Sequence, residues 1–330
     1  MTPLRILTAA DVAQALPMAD AIAGMREAFT QLSLGQADTP LRARLPVPAQ
    51  AGVALCMPAY LAGTRDLAVK IVTVFPHNPA RGHPTLYATV LALDAATGQP
   101  LALLEGNALT AIRTGAGGGL SAEILARPQA RIVAMLGSGV QARTGLEAVC
   151  TVRAIEEVRL YTPTAAHGLA FAREMAGRGP IPAHLRLCAT PAEAVRGADI
   201  IYCATTSSTP VFDGADIQPG AHVIGVGSYT PQMQEVDALT LQRALVVVDA
   251  RTAALAEAGD VLIPLAQGII SADHIHAELG EIIVGLKPGR ARPEQVTFFK
   301  SVGVAVQDAV AARLALTNAA RLGLGQVVSL

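Results

Sequence analysis

Over its first hundred residues the chain alternates short apolar runs with turn residues, a pattern typical of helices followed by antiparallel strands. Thr8 and Asp11 have the spacing of a capping box, which predicts a helix that breaks near Pro17. A second helix is predicted over 18–34 and ends at Gly35. The strands are predicted as an extended edge over 42–48 and as runs over 52–58, 67–75, 85–94 and 100–105. We therefore expect a mainly antiparallel sheet with helices at its start.

The pattern changes near residue 107. The stretch 107–126 is rich in small residues and predicts a helix that ends before Pro128. Beyond it, apolar runs alternate with helical segments, which indicates βαβ units and a parallel sheet covered on both faces. The strands are predicted over 131–136, 157–161, 185–188, 198–203, 221–226 and 245–249. A last Ala-rich helix over 298–324 is expected to return to the first domain.

The first of these runs breaks directly into a glycine turn with the G-x-G-x-x-A form of a dinucleotide site. Gly137 permits a tight turn, Gly139 leaves room for a pyrophosphate, and the small Ala142 lets the next helix pack close to the strand. The N–H groups of that helix's first turn then face an anion. The residues predicted here to bind the dinucleotide are Gly137, Ser138, Gly139, Val140 and Gln141. An ordinary glycine-rich turn between a strand and a helix is the alternative.

The end of the next predicted strand bears on the choice of cofactor. An NAD enzyme usually carries Asp or Glu roughly 20 residues after the glycines, where the acid binds the ribose 2′-OH. Here residues 160–164 read Leu-Tyr-Thr-Pro-Thr, without an acid. The hydroxyls of Thr162 and Thr164 can donate to a 2′-phosphate, so NADP(H) is favoured over NAD(H).

Further cofactor contacts are expected where other predicted elements begin or end. Thr114, followed by Gly115, is interpreted as the start of a helix that holds phosphate, although a structural role explains it equally well. Thr205 follows the strand predicted over 198–203, whose carboxyl end resembles one that meets a cofactor. The loop after the strand over 221–226 adds Val226, Gly227 and Ser228.

Length and charge limit the function classes. The chain has 330 residues, more than the roughly 250–300 at which single cores tend to split, so two domains are expected. Hydrophobic residues make up 52% but aromatic residues only 3%, so Ala, Val, Leu and Ile must fill the interiors. The formal net charge is −1, without a block of like charge, which argues against nucleic acid or an anionic membrane as a partner.

The N-terminus and the cysteines favour a cytoplasmic protein. Arg5, Asp11 and Asp20 interrupt the region in which a signal peptide would be apolar. No stretch of about 18 uncharged apolar residues predicts a membrane span. The four cysteines (Cys56, Cys150, Cys188 and Cys203) include no C-x-x-C pair and have no histidine at zinc spacing. Reduced, buried thiols and no metal site are therefore expected.

Several segments together resemble one family, the ornithine cyclodeaminases and mu-crystallins, which also includes archaeal-type alanine dehydrogenases and ketimine reductases. They follow the family order over nearly the whole chain. The segments are MPAYL (57–61), VKIVTVFPHNP (69–79), LTAIRTGAGGGLSAEILARP (109–128), LGSGVQA (136–142), VGSYTPQMQEVD (226–237), GEIIVGLKPGR (280–290) and FKSVGVAVQDAVAA (299–312).

The resemblance implies an NAD(P)-dependent enzyme that acts on an amino or imino acid and forms a homodimer. It also implies a domain division, with residues 1–116 and 303–330 forming an antiparallel α+β domain for substrate binding and dimerisation. Residues 117–302 would form a Rossmann domain, a doubly wound parallel sheet.

Three basic residues are the candidates for binding a substrate carboxylate. Arg suits this task because its guanidinium forms bidentate, charge-assisted pairs. Arg44 and Arg113 match positions that bind the substrate carboxylate in the family. Lys70 lies in the apolar run 67–75, where an unpaired ammonium would cost several kcal/mol to bury. If it is desolvated beside two arginines, its pKa should fall toward neutrality, so Lys70 is the predicted proton donor or electrostatic partner. The alternative for Lys70 is that simple alternation along the strand exposes it to solvent. The alternatives are a surface charge for Arg44 and a structural ion pair for Arg113.

One loop separates the subfamilies. Cyclodeaminases and alanine dehydrogenases of the family carry an aspartate there that binds the substrate amino group, whereas this chain has Tyr229. Without this aspartate the amino group of ornithine lacks its usual partner, which favours a cyclic imine as the substrate. Tyr229 is expected to lie near the substrate. Glu257 and Asp260 follow in a segment similar to ketimine reductases. Solvated loop charges are the expectation for both, and contact of one of them with the iminium is the alternative.

The resulting prediction is a reductase of pyrroline-2-carboxylate or piperideine-2-carboxylate that forms L-proline or L-pipecolate. A cyclodeaminase that converts ornithine to proline and ammonia is one alternative, and an alanine or other amino-acid dehydrogenase is another. A non-catalytic, NADP-regulated binding protein of the mu-crystallin type would keep the glycine turn without needing Lys70.

Overall fold

The computed structural model describes residues 3–329, and the chain divides into two units. The terminal unit consists of Met1–Arg113 and Val304–Leu330, and the central unit is Thr114–Gly303. Within the described residues, each unit has one eight-stranded sheet.

Up to residue 105 the chain forms the two predicted α-helices and the predicted strands, together with two strands, over 3–7 and 37–38, that are absent from the prediction. These elements are β1 (Pro3–Leu7), α1 (Ala9–Ala15), α2 (Met18–Ser33), β2 (Ala37–Asp38), β3 (Ala43–Val47), β4 (Gly52–Leu61), β5 (Asp66–Val74), β6 (Leu86–Asp94) and β7 (Pro100–Glu105). The predicted capping box is confirmed, because the backbone N–H of Thr8 donates to Asp11 and the backbone N–H of Asp11 donates to Thr8. Both groups would otherwise lack a partner at the start of α1.

The middle of the chain alternates helices and strands. These elements are α3 (Gly106–Leu125), β8 (Ile132–Leu136), α4 (Val140–Val152), β9 (Glu157–Tyr161), α5 (Ala165–Met175), β10 (Leu185–Leu187), α6 (Pro191–Val195), β11 (Ile200–Cys203), β12 (His222–Gly225), α7 (Ala238–Arg243), β13 (Ala244–Val248), α8 (Arg251–Glu257), α9 (Gly259–Ala266), β14 (Ile275–Glu278) and α10 (Leu279–Ile283). The strand β14 is absent from the prediction.

The chain ends with β15 (Val296–Lys300), α11 (Ala305–Leu322) and β16 (Gln326–Ser329). The prediction of one helix over 298–324 is therefore wrong at its start. The β-branched and aromatic side chains of β15 favour a strand, and all five of its residues are buried. At the start of α11, the Gln307 side chain accepts a hydrogen bond from the Val304 N–H at 3.0 Å.

The sheet of the terminal unit has the order β16-β1-β7-β6-β5-β4-β2, and β3 pairs with β4. From β3 to β7, consecutive strands pair in the antiparallel direction, whereas β1 is parallel to β7. The helix α11 contacts β4, β5 and β6 and also packs against α1 and α2. One face of the sheet is thereby buried by helices, and the expected mainly antiparallel α+β architecture is confirmed.

The sheet of the central unit is parallel, with the order β10-β9-β8-β11-β12-β15-β13-β14. The chain runs outward from β8 to β10 and then returns to β11 on the other side of β8. This reversal is the topological switch point of a doubly wound fold, and ligands bind beside such points at the carboxyl ends of the strands. The expected Rossmann-type sheet is confirmed. None of the helices formed by residues 3–329 is long and apolar enough to cross a membrane.

Thr114 does not begin a helix, which corrects the prediction made for it. The helix α3 begins eight residues earlier, at Gly106. There the carboxylate of Glu105 accepts hydrogen bonds from the N–H groups of Asn107 at 3.0 Å and Ala108 at 2.8 Å. Because this side chain satisfies the first turn at residue 106, Thr114 lies in the middle of the helix and is buried.

Small residues let α3 and α4 approach closely over the central sheet. A Cβ on Gly115 or Gly119 of α3 would lie 2.6–2.7 Å from atoms of Thr144 or Ala148 in α4. The ring of Tyr202 from β11 fills the space beside Gly118 and Gly145. Glycine is required at these positions because neighbouring atoms occupy the place of a side chain.

The substitution Gly145→Ala tests this packing. Its Cβ would lie 2.3 Å from the Tyr202 ring, and Tyr202 is fully buried. We expect a loss of about 1–3 kcal/mol in the free energy of unfolding, measured by denaturant titration, although Ala is the better helix former. The control is Gly139→Ala, where nothing lies within 4 Å of the added Cβ and less than about 1 kcal/mol should be lost. Equal losses in the two variants would contradict the packing argument.

Candidate functional site

Lys70 lies in the middle of β5, opposite Met57 of β4 and Val90 of β6. Directly opposed residues of antiparallel strands share a face of the sheet. Met57 and Val90 are both buried, so Lys70 belongs to the face covered by helices. Its side chain is only 3% exposed, which confirms the expectation of a buried lysine.

Asp308 of α11 is the partner that makes this burial tolerable. Its Oδ2 lies 2.6 Å from Lys70 Nζ, and its Oδ1 lies 3.0 Å from Arg113 Nε. Arg113 Nη1 also donates to Gln307 Oε1 at 3.1 Å. These contacts fix the plane of the guanidinium but use only two of its five N–H donors. Donors of Arg113 therefore remain for a bound carboxylate.

The electrostatics of this cluster favour an anion. Burial, together with the charges of Arg113 and Arg42, lowers the pKa of Lys70 to about 7 against the opposing effect of Asp308. For Asp308, burial acts to raise the pKa, but the charges of Arg113 and Lys70 prevail and lower it. A charged Lys70 thus gives the three side chains a net positive charge. The cluster can bind an anion and can also exchange a proton near neutral pH.

Arg44 lies on the same face of the sheet as Lys70. It is opposite Leu55 in the β3–β4 register, and Leu55 is opposite Val72, which is two residues after Lys70. The Arg44 side chain is exposed. Sequence reasoning selected Arg44, but Arg42 is the arginine of this segment whose charge acts on the pKa of Lys70.

Apolar side chains surround the cluster on this face. The nearest positions along and across the strands are Leu55, Met57, Ala68, Val72, Ala88, Val90 and Ala92, all of which are buried. Ion pairs are strongest where water is excluded. The arrangement therefore suits a small carboxylate whose remaining part is uncharged.

The predicted glycine turn in the central unit has the geometry of a pyrophosphate site. Gly137 follows β8 with φ +107°, and a Cβ there would lie 2.4 Å from the Ala204 carbonyl oxygen. Gly139 is the N-cap of α4, and nothing lies within 4 Å of the Cβ position above it. The buried Oε1 atom of Gln141 has no hydrogen-bond partner among the described residues. This open N-terminus with an unsatisfied polar atom fits a dinucleotide.

Arg143 fixes the turn from the inside of α4. Its guanidinium donates to the carbonyl oxygens of Ser138 at 2.5 Å and Gly139 at 3.1 Å. It is itself held by Glu174 at 2.8 Å and lies over the ring of Phe171. These contacts stabilise the conformation of the turn.

A cavity of about 210 Å³ adjoins the carboxyl end of β9. It is lined by Leu160, Tyr161, Thr162, Pro163, Ala165, Gly168, Leu187, Cys188 and Ala189. Ser138 Oγ donates to Thr162 Oγ1 at 3.2 Å, which joins this cavity to the glycine turn. Thr164 is the N-cap of α5 but makes no capping hydrogen bond with its side chain. No charged residue lines the cavity, so neither a ribose hydroxyl nor a 2′-phosphate meets a carboxylate there.

The loops that follow β11 and β12 contain the other predicted cofactor residues. The N–H groups of Thr205, Gly227 and Ser228 all donate to Glu235, at 2.5, 2.6 and 3.1 Å. Val226 is buried, whereas Tyr229 is 42% exposed. The chain at 205 and 227–228 is therefore held by one carboxylate that the sequence analysis did not select.

Three functional candidates are absent from the sequence-based prediction: Asp308, Glu235 and Lys300. Asp308 and Gln307 form a polar pair inside the apolar run 304–312, a signal that could have been used. Lys300 ends an apolar strand and lies 2.8 Å from Asp260.

The expectation that Glu257 and Asp260 are solvated loop charges is wrong, because both lie in helices and are buried. Among residues 3–329, no group of three or more His, Cys, Asp or Glu side chains is arranged to hold a metal.

The chain matches proteins of known family over most of its length. The model of the ornithine cyclodeaminase/mu-crystallin family matches residues 4–321. A Delta(1)-pyrroline-2-carboxylate reductase of Bacillus cereus is 42% identical over 302 residues, which are 91% of this chain and 92% of that protein. A ketimine reductase mu-crystallin of Mus musculus is 38% identical over 275 residues, 83% of each chain.

Two solved structures share the fold over nearly the full length. One is the Delta(1)-pyrroline-2-carboxylate reductase of Thermococcus litoralis in complex with NADH and L-proline, with a TM-score of 0.93 and 39% identity, covering 98% of this chain and 99% of that one. The other is an archaeal alanine dehydrogenase dimer with bound NAD, with a TM-score of 0.92 and 33% identity, covering 99% of both chains.

Proposed function

Because the chain belongs to the ornithine cyclodeaminase/mu-crystallin family, we propose that it is an NAD(P)H-dependent reductase of cyclic imino acids. The proposed substrates are pyrroline-2-carboxylate and piperideine-2-carboxylate, and the products are L-proline and L-pipecolate. One observation carries this proposal: a lysine with a pKa near 7 is buried with Arg113 and Asp308 among apolar side chains. The similarity to the Delta(1)-pyrroline-2-carboxylate reductases of Bacillus cereus and Thermococcus litoralis supports it.

In this proposal the terminal unit binds the substrate. Arg113 offers its free N–H donors to the carboxylate, and Arg44 approaches it from the same face of the sheet. The apolar side chains around Lys70 receive the carbon atoms of the ring. They provide no acid for a second amino group, and Tyr229 replaces the family's aspartate in the loop after β12. We therefore favour a cyclic imine over ornithine.

Lys70 supplies the proton of the reaction. Reduction of a C=N bond adds a hydride to the carbon and requires a proton on the nitrogen. Lys70 Nζ holds this proton while Asp308 at 2.6 Å stabilises the charged form. The substrate carboxylate adds a further negative charge, which favours the protonated lysine when the substrate is bound.

The central unit holds the dinucleotide, which supplies the hydride when bound. Gly137, Ser138, Gly139, Val140 and Gln141 accommodate the pyrophosphate at the N-terminus of α4. Thr162 and Thr164 lie on the side of the adenosine ribose, and Thr205, Val226, Gly227 and Ser228 on the side of the nicotinamide. Thr114 completes the set from the interior of α3. NADPH is favoured over NADH because the end of β9 carries hydroxyls and no acid.

We also propose that two copies associate through the outer face of the terminal sheet. Ile71 lies on the face opposite to Lys70, beside Cys56 and Thr89 in the strand register. Leu45 and Tyr87 lie on the same outer face, and these two and Ile71 are 46–68% exposed. Apolar surface of this kind marks an interface, and the archaeal alanine dehydrogenase is described as a dimer. A cytoplasmic location is proposed as well, because all four cysteines are free thiols.

The reaction is tested with purified protein. NADPH and pyrroline-2-carboxylate should be consumed together, with loss of the 340 nm absorbance, and NADH should support a lower kcat/KM. Lys70→Met should lower kcat at least about a hundredfold, the lower range for lost general acid catalysis, while Arg113 keeps Asp308 paired. The control is Arg313→Met, which removes another ion pair of α11, with Asp66 and Glu27. It should leave kcat nearly unchanged.

Other products would contradict the proposal. Ammonia released from ornithine with NAD+ and no net cofactor turnover would identify a cyclodeaminase. NADH formation from L-alanine would identify an amino-acid dehydrogenase. Tight NADPH binding without turnover of either imine would favour a binding protein.

The pH dependence follows from the lowered pKa of Lys70. As the pH rises through about 7, the free enzyme loses a proton that an unfolded chain would keep up to about 10.5. We expect kcat/KM for imine reduction to fall above pH about 7, and kcat to fall at a higher pH because the bound carboxylate favours the charged lysine. Lys70 also affects stability. Between pH about 7 and about 10.5 the unfolded state binds more protons at Lys70 than the folded state, so the free energy of unfolding rises as the pH increases through this range.

Lys70→Arg separates the enzyme's titration from that of the substrate. Its guanidinium stays charged throughout this range, so any remaining pH dependence belongs to the imine. Equal profiles for Lys70→Arg and the natural protein would overturn the assignment of the proton to Lys70.

The dimer is tested by Ile71→Glu. Burying a carboxylate without a partner in an apolar interface is strongly unfavourable, so we expect the molar mass in light scattering to fall from two chains to one. Leu286→Glu, at an exposed apolar residue of the central unit, is the control and should leave the mass unchanged. An unchanged mass for Ile71→Glu would exclude this face as the interface.

A further inference from the structure

A chain of buried charges lies at the carboxyl edge of the central sheet. Glu235, Asp260 and Lys300 are each fully buried. Asp260 Oδ2 lies 2.8 Å from Lys300 Nζ, and Asp260 Oδ1 accepts hydrogen bonds from the N–H groups of Glu235 at 2.6 Å and Val236 at 3.0 Å. The carboxylate of Glu235 then reaches the loops after β11 and β12. The proposed function uses those loops but none of these three side chains.

Glu235 holds two loops at once, with a different oxygen for each. Its Oε1 accepts from Thr205 N at 2.5 Å, and its Oε2 accepts from Gly227 N at 2.6 Å and Ser228 N at 3.1 Å. Thr205 follows β11, whereas Gly227 and Ser228 follow β12. A Cβ on Gly227 would lie 2.1 Å from the Thr205 carbonyl oxygen. The two loops are therefore in direct contact, and their N–H groups point to one carboxylate.

Asp260 and Lys300 hold Glu235 in turn. Lys300 is the last residue of β15, next to β12 in the sheet, and Asp260 lies in the first turn of α9. The Asp260 N–H also donates to Ser228 Oγ at 3.4 Å, and this hydroxyl donates to the Met233 carbonyl at 2.7 Å. The loop over 226–237 is thus tied to the ends of β12 and β15 and to α9.

Burying two carboxylates and one ammonium is costly, and well-packed apolar residues would often be as stable or more so. Burial raises the pKa of Glu235, Asp260 raises it further, and Lys300 together with the Thr205 N–H opposes them. The charges instead fix the direction of backbone N–H groups, because a carboxylate with two oxygens orients several of these groups at once. Backbone at the carboxyl ends of parallel strands is where such a fold meets its ligand.

We propose that Glu235 is a positioning residue that fixes Thr205, Gly227 and Ser228 in the conformation that receives the nicotinamide half of the dinucleotide. Asp260 and Lys300 act through Glu235. The adenosine half is held elsewhere, by the turn at Gly137 and the cavity at Thr162. This proposal rests on the proposed use of a dinucleotide but not on the identity of the imine.

The test compares a whole dinucleotide with its adenosine half. Isothermal titration calorimetry is performed with NADH and ADP-ribose, and again with NADPH and 2′-phospho-ADP-ribose. In Glu235→Gln the amide cannot accept from both loops, so dinucleotide binding should weaken at least tenfold while the ADP-ribose compound binds within twofold of the natural protein. The value of kcat should fall more than the KM for the imine changes.

The matched control is Asp199→Asn. Asp199 accepts from the N–H groups of Arg131 at 2.9 Å and Ile132 at 3.1 Å and pairs with Arg127, at the amino ends of β8 and β11. The variant should lose stability without changing the ratio of the affinity for the dinucleotide to the affinity for the ADP-ribose compound. If Glu235→Gln does not fold, Glu235→Asp keeps the charge with a shorter reach and should show an intermediate ratio.

Two results would overturn the proposal, and a third would reject only the proposed substrates. A ratio in the folded Glu235 variant equal to that of Asp199→Asn would show a purely structural role. Failure of the natural protein to bind any dinucleotide would remove the premise. A shifted ratio together with no reduction of pyrroline-2-carboxylate or piperideine-2-carboxylate would support the role of Glu235 and reject the proposed substrates instead.

Discussion

The buried pair of Lys70 and Asp308 is the interaction on which the proposed chemistry of the terminal unit depends. At 2.6 Å, with both side chains at most 3% exposed, the pair holds a positive charge in a setting that would otherwise expel it. Arg113 joins the same carboxylate at 3.0 Å. Burial, with Arg113 beside it, lowers the pKa of Lys70 to about 7. Two cations on one anion give the charged cluster a net positive charge, as the proposed binding of a carboxylate requires.

Elsewhere in the molecule, buried carboxylates accept hydrogen bonds from backbone N–H groups. Asp249 accepts from the N–H groups of Val302 at 2.8 Å and Gly303 at 2.7 Å. Glu235 accepts from three N–H groups after β11 and β12. In each case an acid orients backbone where a strand ends and the regular hydrogen bonds of the sheet stop. The parallel sheet gives these loops their position, and the acids give them one conformation.

Much of the fold follows from local pattern, as particular elements show. The capping box at Thr8, the strands of the antiparallel sheet and the glycine turn after β8 all depend on residues close together in sequence. Two predictions of secondary structure were wrong because neighbouring residues or strands favour another structure. Glu105 caps α3 and removes the helix start expected at Thr114, and the position of β15 between two strands overrides the expected helix at residue 298.

The sequence by itself determined the family, the two kinds of sheet, the glycine turn and the burial of Lys70, because an isolated lysine in an apolar strand and a glycine-rich turn are local signals. Only the tertiary structure decided that Asp308 pairs with Lys70, 238 residues away, and that Glu235 binds the backbone of Thr205. It also decided that Asp260 is buried against Lys300 rather than solvated. The physical reason is the same in all three cases. Packing between elements that are far apart in sequence decides which group lies next to a buried charge. The spacing of residues along the chain does not show which group this is.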